Sequence, residues 1–147
     1  MKHLIFSAIT LFLVHFSSVG QDLSPYVKVG ESTLSMQEIL DKVIQNLKDN
    51  SFTVLGTYNP SNKNTLKVIA FTRNDLKKTV IKVKDRGALA AIMKVGLVMK
   101  GDKVIISYTN PDYILRAYLA SDYNTYKSAF VNFSKDLKGA LSSRGNE

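Results

Sequence analysis

The sequence predicts an α+β fold, an antiparallel sheet of two hairpins with helices packed on it, and three stretches carry that prediction. Met36, Ile39, Leu40, Val43, Ile44 and Leu47 recur at helical spacing, the single buried stripe of an amphipathic helix. Leu89, Ala91, Met93, Val95, Leu97 and Met99 alternate, and after Lys100-Gly101-Asp102-Lys103 the alternation resumes at Val104, Ile106 and Tyr108, as in an antiparallel hairpin. Tyr123, Tyr126, Phe130, Phe133, Leu137 and Leu141 return to helical spacing. A sheet with one apolar face and helices with one apolar stripe bury both by forming two layers.

The elements follow in chain order. Met1-Lys2-His3 precedes an apolar run from Leu4 to Phe16 and then Ser17-Ser18-Val19-Gly20-Gln21. A basic start, a short apolar stretch and small residues before a polar junction predict a secretory signal peptide over 1–20, cleaved near Gly20/Gln21. The run is shorter than the roughly 20 apolar residues a spanning helix needs. The chain is therefore expected to be exported, periplasmic or extracellular, with residues 21–147 forming one domain. A short strand, Tyr26-Val27-Lys28-Val29, ends at Gly30. Ser35 and Glu38 stand as a capping box, in which hydroxyl and carboxylate each satisfy an orphan backbone donor, and open a helix over 35–49 with Asn50 as a left-handed stop.

β-forming residues at 52–58 and 66–71 flank the Asn59–Asn64 loop and predict a hairpin. Leu76, Val80 and Val83 fit a helix over 74–84, capped by Asn74 or Thr72 and stopped at Gly87. The clean alternation gives strands 89–99 and 103–109. Asn110-Pro111 reads as a cap with proline in the first turn, opening a helix over 111–120. Asp122 is expected to cap a last helix over 123–141, with a frayed tail from Ser142. No linker or repeat divides the chain.

Composition narrows the chemistry. The chain has no cysteine and no tryptophan, and both histidines, His3 and His15, fall within the expected signal. The remaining 127 residues are enough for one core but lack the imidazole and thiol groups of common zinc, haem and Ser-His-Asp or Cys-His sites. No cofactor and no metal site are expected. No catalytic residue is assigned; tyrosine, lysine, serine and carboxylate chemistry remain possible. The net charge of +8, lowered to +7 by loss of Lys2, is concentrated in Lys77, Lys78, Lys82, Lys84 and Arg86 and continues to Lys94, Lys100 and Lys103. Such a stretch can meet an anionic surface or serve as a solvated face. Its single arginine argues against sequence-specific nucleic-acid reading, in which arginine forks dominate.

Two tyrosines stand before Asn-Pro steps, Tyr58-Asn59-Pro60 and Tyr108-Thr109-Asn110-Pro111. A residue before proline is held extended, which frees an asparagine amide to reach a partner. Tyr58, Tyr108, Asn110 and Tyr113 are therefore the candidate ligand-binding residues at one end of the sheet. The plainer account makes Asn110 a helix cap and the tyrosines core-edge residues with wet hydroxyls. Lys94 lies on the partly wet strand face, where a lysine is expected, and would have a lowered pKa only if buried; Asp112 and Asp122 are explained by capping.

The segments Arg86-Gly87-Ala88-Leu89-Ala90-Ala91, Lys94-Val95-Gly96-Leu97 and Val104-Ile105-Ile106-Ser107-Tyr108-Thr109-Asn110-Pro111-Asp112-Tyr113, continuing to Ala117-Tyr118, resemble domain-of-unknown-function family 302. The likeness spans roughly 34–119, with Ser-Tyr-Thr-Asn-Pro as its most specific part. It implies a small α+β fold, often oligomeric or joined to other domains, and brings no catalytic residues. The expected function is a non-catalytic ligand-binding or interaction module of the cell envelope. Its expected partners are a small ligand, a protein, an anionic lipid or glycan surface, or a second copy of the chain. The alternative is an enzyme using tyrosine, lysine or carboxylates, which requires an acid/base pair in one cleft with perturbed pKa values.

Overall fold

A computed structural model describes residues 23–142; the expected signal peptide lies outside them. The described chain runs β1 (Tyr26–Ser32), α1 (Met36–Asp49), β2 (Thr53–Tyr58), β3 (Leu66–Thr72), α2 (Asn74–Val80), β4 (Met93–Lys100), β5 (Lys103–Thr109), α3 (Pro111–Leu119) and α4 (Lys127–Ser142). The five strands form one antiparallel sheet in the order β1-β5-β4-β3-β2. The expected hairpins β2–β3 and β4–β5 sit side by side through the β3–β4 pairing. The N-terminal strand is longer than its sequence suggests, running past Gly30 to Ser32, because a bulge at Val29 re-registers it on β5. A second bulge at Leu55 interrupts the other edge strand, β2.

The core lies between one sheet face and the helices. Ile69, Phe71, Met93, Val95, Leu97, Val104 and Ile106 meet Leu40, Leu47, Leu115, Phe130, Phe133 and Leu137. Each side chain of this size contributes about 1.5–3 kcal/mol by leaving water. Phe52 packs edge-to-face on Phe71 at 5.6 Å and on Phe133 at 5.7 Å, the geometry aromatic quadrupoles favour. The capping box at Ser35 and Glu38 is formed, and the Ser35 hydrogen bonds hold the Glu38 carboxyl below its usual range.

Several boundaries differ from the sequence reading. Asn50 is not the left-handed stop: its φ is −101°, and Ser51 takes φ +64° instead. Helix 74–84 ends at Val80, and neither proposed residue caps it. Thr72 is buried and gives its hydroxyl to the Ala91 carbonyl at 2.6 Å, so Arg73 takes the cap position while the Asp75 carboxylate accepts the Leu76 amide. After Val80 the chain turns back on itself. Gly87 does not stop a helix but opens a 3₁₀ turn, Gly87–Ala91, so strand 89–99 begins only at Met93. The partner strand β3 pairs no further than Phe71 with Met93 and then turns into α2, leaving residues 89–92 without a ladder. Asp122 caps nothing: Ala120–Tyr126 is 3₁₀ and α4 starts at Lys127. Tyr123 is buried there and donates to Asp112 on α3, which fixes this segment as a strap rather than a first helical turn.

Candidate functional site

The helices fill one face of the sheet and leave the other open. Pairing places Tyr58, Val68, Gly96, Ser107 and Lys28 side by side across the five strands on this open face. Lys94, two residues before Gly96 on the central strand, lies beside Ala70, with Gly56 beyond it. On the other side, Thr109 pairs with Tyr26 and donates its hydroxyl to the Lys94 carbonyl at 3.3 Å. An ordinary solvated face would alternate into charge; here Leu66, Val68, Ala70, Val98 and Ile105 occupy the outward positions.

Two cavities meet over Lys94. One, of about 320 Å³, is lined by Tyr26, Leu89, Ile92, Lys94, Thr109, Ile114 and Tyr118. The other, of about 170 Å³, is lined by Tyr26, Tyr58, Val68, Lys94, Gly96, Ser107 and Thr109. They share Tyr26, Lys94 and Thr109 and so form one groove. The 3₁₀ turn and α3 supply its wall at the sheet end, and small residues form its floor. A methyl group added at Gly96 would stand 3.6 Å from the Ser107 hydroxyl, an ordinary contact, so the space above it is genuine room. Among the described residues no carboxylate pairs with Lys94, and none lines either cavity. The Lys94 ammonium is therefore available to an incoming anion, with a hydroxyl and phenols around it and apolar walls on both sides.

Of the four predicted binding residues, the groove contains one. Tyr58 is half exposed on the open face and lines the smaller cavity. Tyr108 pairs with Val95 and points into the core, with 6% of its surface exposed; burial raises its phenol pKa. The two tyrosines cannot share a pocket because their strand positions fall on opposite faces. Asn110 has both ends of its amide engaged. Its oxygen accepts from the Asp112 amide at 3.2 Å and its nitrogen donates to the Ser24 carbonyl at 2.8 Å. It caps α3 and pins the approach to β1. Tyr113 is partly exposed on the first turn of α3 and lines neither cavity. Tyr26, Thr109, Ile114 and Tyr118 were missed, since their meeting depends on the order of strands. The legible clue was the excess of apolar and small residues at outward positions 96, 98, 105 and 107.

A larger depression of about 800 Å³ lies elsewhere, between Ser51, Arg73, Asp75, Lys78, Lys135 and Asp136. Its central cation is already satisfied. Arg73 forks onto Asp75 at 2.7 and 2.8 Å and reaches Asp136 at 2.8 Å, with its guanidinium 5.0 Å from the ring centroids of both Phe52 and Phe133. Burial alone would push the Asp75 carboxyl up, but the Arg73 fork and the Leu76 amide outweigh it and hold it below the usual range. This is a clamp joining the β3–α2 corner to α4. Lys77, Lys78, Lys82, Lys84 and Arg86 are all exposed along α2 and the turn after it.

No family model and no curated protein matches the chain. Among solved structures it is similar to the crystal structure of an uncharacterized conserved protein DUF302 from Bacillus stearothermophilus. The TM-score is 0.66 at 12% identity, over 81% of this chain and 97% of that one. At this identity the likeness is one of fold: the chain has a DUF302-like fold.

Proposed function

We propose that this chain is an exported, non-catalytic binding module of the cell envelope that holds a small amphiphilic anion in the groove over Lys94. The observation that carries the reading is the meeting of two cavities at Tyr26, Lys94 and Thr109 on a sheet face that the helices leave open. A pocket lined mainly by apolar and aromatic groups with a few convergent polar ones is the usual form of a small-molecule site. The Lys94 ammonium and Thr109 hydroxyl suit a carboxylate or similar anionic group. Ile114, Tyr118, Leu89 and Ile92 suit an aliphatic or aromatic body. Neither cavity is lined by a carboxylate, so the groove offers no carboxylate acid or base to a reacting group. Export rests on the leader pattern of residues 1–20.

Native mass spectrometry of the protein purified from its own host tests the reading, since it reports bound mass and subunit number together. The expected result is an adduct of small-molecule mass, weakened in Lys94→Gln. Absence of any adduct, together with no thermal stabilisation by medium-chain fatty or aryl carboxylates, overturns it.

A further inference from the structure

Among the described residues, the basic stretch and the turn after it also carry the two most exposed large aliphatic side chains. Ile81 is 66% exposed and Leu89 62%, with Ile92 about half exposed, so three large apolar side chains face water within residues 81–92. Isolated exposed apolar residues are ordinary. These three stand among Lys77, Lys78, Lys82, Lys84 and Arg86, with Asp85 the only acidic residue between positions 77 and 94.

Local geometry draws them together. Ile81 continues α2 in helical conformation and donates its amide to the Lys77 carbonyl at 3.2 Å. It therefore sits one turn beyond Lys77 and Lys78 on the outer face, with Leu76 and Val80 on the buried one. The following turn folds back: a methyl group built on Gly87 would lie 2.2 Å from the Val80 carbonyl oxygen and 2.8 Å from the Val83 side chain. This approach brings the 3₁₀ turn that carries Leu89 against the end of α2, where Val80 precedes Ile81.

We infer that this patch docks on an anionic lipid bilayer, with Ile81 and Leu89 entering the headgroup region and the surrounding lysines on lipid phosphates. Basic residues ringing apolar tips form the two-part attachment that peripheral membrane surfaces use. A polyanionic glycan would engage the lysines but gives the apolar tips nothing to enter. Leu89 and Ile92 also line the groove over Lys94, so docking turns one wall of that groove toward the membrane. Ile81, Lys82 and Lys84 line neither groove cavity, so variants at these positions test docking apart from the ligand.

Vesicle co-sedimentation tests it, using chains that begin at Gln21 and retain the core from Met36 to Leu141. The probes are phosphatidylcholine vesicles with and without phosphatidylglycerol, and a soluble sulfated glycan as the competing polyanion. Binding is expected only with phosphatidylglycerol and is expected to weaken with salt. Lys82→Gln with Lys84→Gln reduces it about 30-fold, at roughly one kcal/mol for each basic residue near the surface. Ile81→Ser reduces vesicle binding several-fold and leaves glycan binding unchanged, with the circular dichroism spectrum of the wild type. No sedimentation with phosphatidylglycerol overturns the inference. So does an Ile81→Ser protein that binds vesicles like the wild type, or a chain that prefers the glycan at equal charge.

Discussion

Arg73 and Asp136, 63 positions apart, meet at 2.8 Å across the junction between β3 and α4. The arginine side chain is only 12% exposed, whereas that of Asp136 is 53% exposed. The pair is thus lopsided, with a nearly buried cation held by a solvent-screened anion. Arg73→Ala removes the fork to Asp75 and the cover over Phe52 and Phe133 as well, and is expected to cost about 1–3 kcal/mol, below the full cost of breaking a buried pair. Asp136→Ala is expected to cost under about 1 kcal/mol, as exposed pairs do. Urea denaturation of both variants checks the ordering. Because the Asp75 carboxyl is held below its usual range, its contribution is complete above the ordinary aspartate pKa and fades as pH falls through the lowered value. That part of the acid slope should shrink in Arg73→Ala, which leaves the Leu76 amide on the Asp75 carboxylate.

Gly87→Ala is expected to destabilise by about 1–3 kcal/mol, the range for overpacking a close-packed site. The new methyl would meet the Val80 carbonyl, a backbone atom that cannot swing aside. Thermal unfolding measures the loss. A Gly87→Ala protein as stable as the wild type would mean that the turn does not close on α2 as described.

Gly96→Val should behave in the opposite way. The added Cβ meets only the Ser107 hydroxyl, at ordinary contact distance, and valine suits a strand better than glycine. Stability is expected to hold or rise while the groove floor fills and the bound adduct disappears from native mass spectra. Retention of the adduct would move the ligand away from this face.

Tyr123 should be the last tyrosine to ionise. Burial first, and then the hydrogen bond it donates to Asp112, push its phenol up to about 12. A value raised in the folded state means that the stabilisation is complete below the ordinary tyrosine pKa of about 10 and is lost as pH rises from there toward 12. Near-ultraviolet titration of tyrosinate absorbance should show a final transition that Tyr123→Phe abolishes. The same substitution should loosen the strap between α3 and α4.

Much of the architecture was legible because local pattern and final environment agree. Ser35 and Glu38 cap α1 whatever surrounds them, since both bonds lie within one turn. Asn110-Pro111 opens α3 for the same reason. At Gly101 a φ of +63° suits the residue that tolerates it, and the β4–β5 turn forms there. Leu89 and Ala91 misled because alternation alone does not make a strand; a neighbour with free backbone groups must exist, and β3 has turned into α2 by then. Asp122 misled because a capping residue type has no effect where Tyr123 is drawn into the core.

The candidate site divides along the same line. The sequence alone determined which residues prefer helix or strand, the basic stretch at 77–86, and the absence of cysteine and tryptophan. Tertiary structure alone decided that Tyr58 and Tyr108 face opposite ways and that Tyr26, Lys94 and Thr109 converge. The physical reason is the sheet's pairing register. Side chains alternate at every residue, so a position's face is fixed only once its strand is set against a neighbour, and β1 reaches β5 from the far end of the chain.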